Sequence, residues 1–154
     1  MKKLAAILCA TALTLSLTAC GGKEKDVTVD TAKLAGELLE TVTSDQLTQT
    51  SSDLLPSIYF YDAEDVSSGV AYTSSGATAC EVAIVQSTEQ KHTSEMEKLF
   101  QSHVDSQSEL YASYNQGEVD KLDKAIIKSA GTYTVLCVCD DTAKAEEILK
   151  GYGF

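Results

Sequence analysis

The chain contains no tryptophan and no arginine, and Pro56 is its only proline. Without Arg there is no planar fork to grip phosphate at two points, and a formal charge of -11 repels nucleic acid. Nucleic acid is therefore not an expected partner. Also lacking are a Cys-x-x-Cys pair, a Gly-x-Ser-x-Gly elbow, a glycine-rich phosphate loop and the EF-hand spacing. These gaps remove the motif-borne zinc, serine-hydrolase, nucleotide and calcium chemistries, and no cofactor is expected. The acidic balance argues for solubility rather than for any fold.

What is present begins at the N-terminus. Lys2 and Lys3 precede an apolar run from Leu4 to Leu17 that is short and interrupted by Thr and Ser, so residues 1–19 read as an export signal rather than a membrane span. Leu17-Thr18-Ala19-Cys20, followed by Gly21-Gly22, resembles the lipobox of bacterial lipoproteins, where a diacylglyceryl group is placed on the Cys thiol and a peptidase cuts before it. The resemblance implies lipid attachment at Cys20 and a place on the extracytoplasmic face of the cell membrane. Two acyl chains, at ~0.8 kcal/mol per buried methylene, hold a domain stably where one does not. Residues 20–28 then form a lipidated tether that reaches about 20 Å when stretched, leaving residues 29–154 for a single domain.

Within that domain, Leu34, Leu38 and Val42 recur at helical spacing behind a capping Asp30. The polar stretch Thr43–Asp53 reads as a loop, and Pro56 is expected to stop whatever precedes it. Strand-like runs cover Val66–Thr73 and Cys80–Gln86, with Gly76 in the turn between them. Ser87 and Gln90 offer a capping box for a long helix whose stripe is Met96, Leu99, Phe100, Val104, Leu110, Tyr111 and Tyr114, ended by Asn115-Gln116-Gly117. A second strand pair, Ala125–Lys128 and Tyr133–Cys139, turns at Gly131, and a last helix spans Thr142–Lys150. The order is a helix followed by ββα-ββα. It predicts an α+β domain with an antiparallel sheet of about four strands and helices packed on one face.

Cys9 leaves with the signal and Cys20 is taken by lipid, so Cys80, Cys137 and Cys139 remain. Core packing of free thiols, a disulfide from Cys80 to one of the pair, and metal binding stay open, the last without its third and fourth ligands. His92 and His103 lie three helical turns apart, about 16 Å, and do not share a metal. Surface or core-edge positions suit them. Asp62, Glu64 and Asp65 read as an acidic turn.

With no Trp, Tyr59, Phe60, Tyr61, Tyr72, Tyr114 and Tyr133 carry most of the aromatic surface. They serve either as core or as a platform for a sugar ring or peptide.

The segment from Asp30 to the C-terminus resembles an uncharacterised lipoprotein family known as domain of unknown function 4358. The likeness rests on Val29-Asp30, Tyr72-Thr73-Ser74-Ser75-Gly76-Ala77-Thr78, Glu81-Val82-Ala83, Tyr114-Asn115-Gln116-Gly117-Glu118-Val119-Asp120-Lys121-Leu122 and Gly131-Thr132-Tyr133-Thr134-Val135-Leu136. Where members tend to carry Pro after the Tyr-Asn pair, this chain has Gln116, which loosens the turn. The resemblance implies a small exported, anchored domain and brings no activity with it.

The expectation is a non-enzymatic binding module, held at the membrane through Cys20, with an envelope protein or small ligand as its partner. Tyr72, Gly76, Tyr114 and Asn115 are the expected binding surface. The alternative is a cell-envelope hydrolase, or an accessory subunit of an envelope enzyme, with its carboxylates unrecognised.

Overall fold

The computed structural model describes residues 27–154, so the export signal and Cys20 lie outside the described residues. Asp30 accepts a hydrogen bond from the Lys33 N–H at 3.0 Å and opens α1 (Thr31–Leu39), as its position predicts. Then follow β1 (Thr48–Thr50), α2 (Leu55–Tyr59), β2 (Val66–Thr73), β3 (Glu81–Ser87), α3 (Thr93–Ala112), α4 (Gln116–Leu122), β4 (Ile126–Ala130), β5 (Tyr133–Val138) and α5 (Thr142–Gly151). The strands form one antiparallel sheet in the order β1-β2-β3-β5-β4. The domain is α+β, with helices packed against that sheet.

The sheet has five strands rather than about four, and helices cover both of its faces rather than one. The reason lies in the two central strands, β3 and β5, which are apolar at both parities. Ala83, Val85, Leu136 and Val138 face a core closed by α2, α3 and α4, built around Leu55, Tyr59 and Phe100. Val82, Ile84, Val135 and Cys137 face the opposite way, into a core closed by α1 and α5 through Leu34, Leu38 and Leu149. One layer of helices would leave half of these side chains in water, at roughly 1.5–3 kcal/mol each.

Three local expectations are corrected. Pro56 does not end an element but sits in the first turn of α2, where its missing N–H has no partner to lose. Ser87 does not cap α3; it stays in β3, its hydroxyl buried without a partner among the described residues. Asn115-Gln116-Gly117 does not close α3, which ends at Ala112; Gln116 and Gly117 open α4.

The register fixes two ends of the sheet. Thr73, Glu81 and Val138 lie at one end; Val66, Ser87 and Tyr133 lie at the other. Val27, the first described residue, rests on the β4–β5 turn at the second end, where a Cβ built on Gly131 (φ +57°) would meet the Val27 Cβ at 3.2 Å. The seven residues of β3 separate the two ends by about 20 Å.

Candidate functional site

At the end of the sheet away from Val27, a cleft of about 250 Å³ opens between the β2–β3 loop and the second half of α3. His103, Gln107, Leu110 and Tyr111 line one wall from a single helical face, spaced by four, three and one residues, and Tyr114 extends it. The facing wall is the loop from Ser74 to Ala79, with Glu81 at the start of β3.

The loop is held by its own polar groups. The Ser74 hydroxyl accepts from the N–H groups of Gly76, Ala77 and Thr78 at 3.1 Å each, a wrap that needs the left-handed backbone of Gly76 (φ +103°). Asp45 accepts from the hydroxyls of Ser74 and Thr78, which hold its carboxyl below the usual range. Tyr111 donates to the Thr78 carbonyl at 2.6 Å, and Glu118 accepts from the Ala79 N–H at 2.8 Å. Burial, with Tyr114 beside it, pushes the Tyr111 phenol up to about 12.

On the floor, Glu81 and His103 pair at 2.9 Å, with only 9% and 11% of their side chains exposed. Tyr59 donates to the other oxygen of Glu81 and packs edge-on against the His103 ring at 5.0 Å between centroids. Burial, reinforced by Glu81, drives the Tyr59 phenol far up, so it remains a donor. The mouth carries the exposed Leu110 and Tyr114, the latter 61% exposed and 5.1 Å from the Tyr111 ring.

A second polar cluster underlies the cleft. Lys121 on α4 bonds Asp140 at 2.9 Å, Glu118 at 3.2 Å, the Ser44 hydroxyl at 2.9 Å and the Cys80 sulfur at 3.6 Å. Burial alone would raise the Asp140 carboxyl. Lys121 and the N–H groups of Ser44 and Thr43 outweigh it and hold that carboxyl far below its ordinary range. Burial alone would lower Lys121, but the Asp140 contact, together with Cys80 and Glu118, outweighs it and moves Lys121 well up.

Of the residues expected on a binding surface, Gly76 and Tyr114 line this cleft. Tyr72 packs on the other face of the sheet, beside the α1–α5 core, because neighbouring strand residues point oppositely. Asn115 occupies the turn before α4 and does not line the cleft. Glu81 and Lys121 were not foreseen, and His103, expected at a surface or core-edge position, was not expected to pair; only Glu81's place at the head of an apolar strand marks it as unusual.

Cys80, Cys137 and Cys139 are buried and free. The neighbouring Cys137 pulls the Cys139 thiol down, while Cys137 itself, beside Cys139 and deeply buried, moves well up. Among the described residues, no group of three or more His, Cys, Asp or Glu side chains is placed to hold a metal ion. No helix among them is long and apolar enough to cross a membrane.

A wider depression of about 400 Å³ between β4 and α5 is crossed at the surface by Lys128 and Glu146, 3.3 Å apart. It contains no buried polar pair of the kind that marks the Glu81 cleft.

No curated protein and no solved structure matches the chain. A family model does match, over residues 40–139, which takes in the whole sheet, the Glu81–His103 cleft and the Lys121 cluster except Asp140, but neither α1 nor α5. The chain therefore belongs to the family described as domain of unknown function (DUF4358).

Proposed function

We propose that this protein is a lipid-anchored extracytoplasmic binding module, fastened through acyl chains on Cys20 and engaging an envelope partner or small ligand through the Glu81 cleft. The observation that carries the reading is the placement of two features at opposite ends of one sheet. The chain enters at the β4–β5 turn, and the cleft opens about 20 Å away at the far end of β3. A tether of about 20 Å keeps the entry end close to the bilayer and leaves the cleft facing outward. The cleft also combines convergent polar groups with an apolar mouth, the usual make-up of a binding site.

A photo-crosslinking residue at position 114 in intact cells is expected to give a discrete adduct. The same residue at Thr88, on the anchored end, is expected to give none. Equal labelling from both positions, or labelling from Thr88 alone, contradicts the reading.

One observation favours the hydrolase reading: the His103–Glu81 pair is of the kind that positions a proton-transfer group. Against it, no hydroxyl or thiol among the described residues hydrogen-bonds His103 as a nucleophile. Turnover of cell-wall fragments that disappears in His103→Gln would establish the hydrolase; the binding reading expects no turnover from either form.

A further inference from the structure

We propose that the cleft takes a small organic cation, an ammonium group carried on an apolar or flat body, a proposal that rests on the cleft being the binding surface.

Charge excludes the opposite class. No Lys lines the walls, and the chain has no Arg. Lys121, which reaches the neighbouring Cys80, is already engaged by Asp140 and Glu118. An anion entering the cleft would meet the Glu81 carboxylate with no free Lys or Arg to balance it, since His103 is bound to that same carboxylate. Asp45 stands directly behind the loop and adds to the negative field. The overall charge of -11 extends that field beyond the surface, drawing in cations.

Hydrogen bonding argues against a neutral polyol. Thr73 is bonded to Thr50, Ser74 and Thr78 to Asp45, and Tyr111 to the Thr78 carbonyl. A sugar selected by its hydroxyls would compete with these bonds, which hold the loop and the β1–β2 edge in place, leaving the Gln107 amide as the wall group free to meet it. What the cleft does offer is the exposed ring of Tyr114 beside the edge of the buried Tyr111, and at its floor the Glu81 carboxylate, whose two oxygens each accept one bond, from Tyr59 and His103, and keep a further lone pair. Tyr111 and Tyr114 sit with centroids 5.1 Å apart and planes tilted by 40°, and Tyr114 and Leu110 are largely exposed at the mouth. The electron-rich faces of such rings attract ammonium groups without needing a hydrogen-bond donor. A volume of about 250 Å³ admits one such group and its immediate substituents, not a polymer chain.

Calorimetric titration of the full chain in non-ionic detergent with benzyltrimethylammonium tests the proposal. Single-site binding with Kd of about 1 mM or tighter is expected. Tyr114→Ala and Glu81→Gln should each weaken it about tenfold, and Tyr114→Phe, which keeps the ring, should restore it. Because Tyr114 is exposed, its variants keep the fold if Glu81→Gln does not. Benzyl alcohol, with the same ring and no charge, should bind at least about tenfold more weakly.

Absence of ammonium binding overturns the cation proposal. If benzyl alcohol or N-acetylglucosamine binds instead, and Tyr114→Ala abolishes that, the cation proposal falls while the cleft stands as the binding surface. If neither they nor the ammonium bind, and crosslinking from position 114 is also empty, both fall.

Discussion

Lys121→Met should lower the unfolding free energy by about 3 kcal/mol, the low end of what removing one partner from a buried ion pair costs, because this cluster is only half-buried. For a domain of this size the midpoint of thermal unfolding should drop by roughly 10 °C. The effect is large because Lys121 serves four groups from four parts of the chain: Glu118 on its own helix, Asp140 after β5, Ser44 after α1, and Cys80 before β3. The side chains of Lys121 and Asp140 are 20% and 18% exposed, so water replaces only part of the lost contact. Asp140 is also the acceptor for the N–H groups of Thr43 and Ser44, at 2.6 and 2.8 Å, and so ties down the segment following α1.

The pH dependence of that deficit follows from the same contacts. The folded carboxyl of Asp140 lies below its unfolded value of about 3.9, so its stabilising contribution is complete above that value. It is lost as pH falls from there through the folded value. Lys121, raised when folded, contributes fully below about 10 and loses its contribution as pH rises through the folded value. The deficit of Lys121→Met should therefore be level from about pH 5 to 9 and shrink below about pH 4, as Asp140 protonates and no longer needs a cation. Thermal unfolding across that range checks both statements. A deficit below about 1 kcal/mol at neutral pH would show that the cluster behaves as an ordinary surface pair.

The largest effect on location is expected from Cys20→Ser. On the proposed anchoring, oxygen in place of sulfur removes the atom that would carry the acyl chains, and with them nearly all of the membrane affinity, because a chain of charge -11 has no electrostatic attraction to anionic lipid. The native protein should partition with membranes and incorporate labelled fatty acid. The variant should take up no label and should not be retained through a diacyl anchor. Equal fatty-acid labelling of both forms would remove Cys20 from the account.

Elements that carry a period were legible in the sequence, and those that depend on a neighbour were not. The helices α1 and α3 show their repeat within one segment, and β2, β3, β4, β5 and α5 are marked by the turn glycines and cap residues around them. In contrast, β1 is Thr48-Gln49-Thr50, with no apolar residue, and exists because it pairs with Ala71–Thr73 and because Thr50 bonds Thr73. The short α2 depends on burial of Leu55 and Tyr59 under α3 more than on any pattern of its own. Cover on both faces of the sheet was written in the doubly apolar runs at Val82–Val85 and Tyr133–Val138, which the alternation expected of a half-buried strand obscures.

Of the site, Gly76 and Tyr114 were visible as a turn glycine and an aromatic residue at a helix end. The chemistry between them was not. Glu81 and His103 are 22 residues apart, and Lys121 and Ser44 are 77 apart, so only the topology brings them together. Residue type and spacing hold no trace of such meetings without the register that sets which side chains share an end of the sheet.

The central claim is that the molecule is fastened at one end and open for binding at the other. Its most direct test places nitroxide labels on Thr88→Cys and Tyr114→Cys in the lipidated full chain, where Cys80, Cys137 and Cys139 are buried and therefore shielded from labelling. Bound to vesicles with nickel-chelating headgroups, the label at position 88 should relax strongly, and the label at position 114, about 20 Å farther out, only weakly. Equal relaxation at the two positions, or stronger relaxation at 114, would contradict the account.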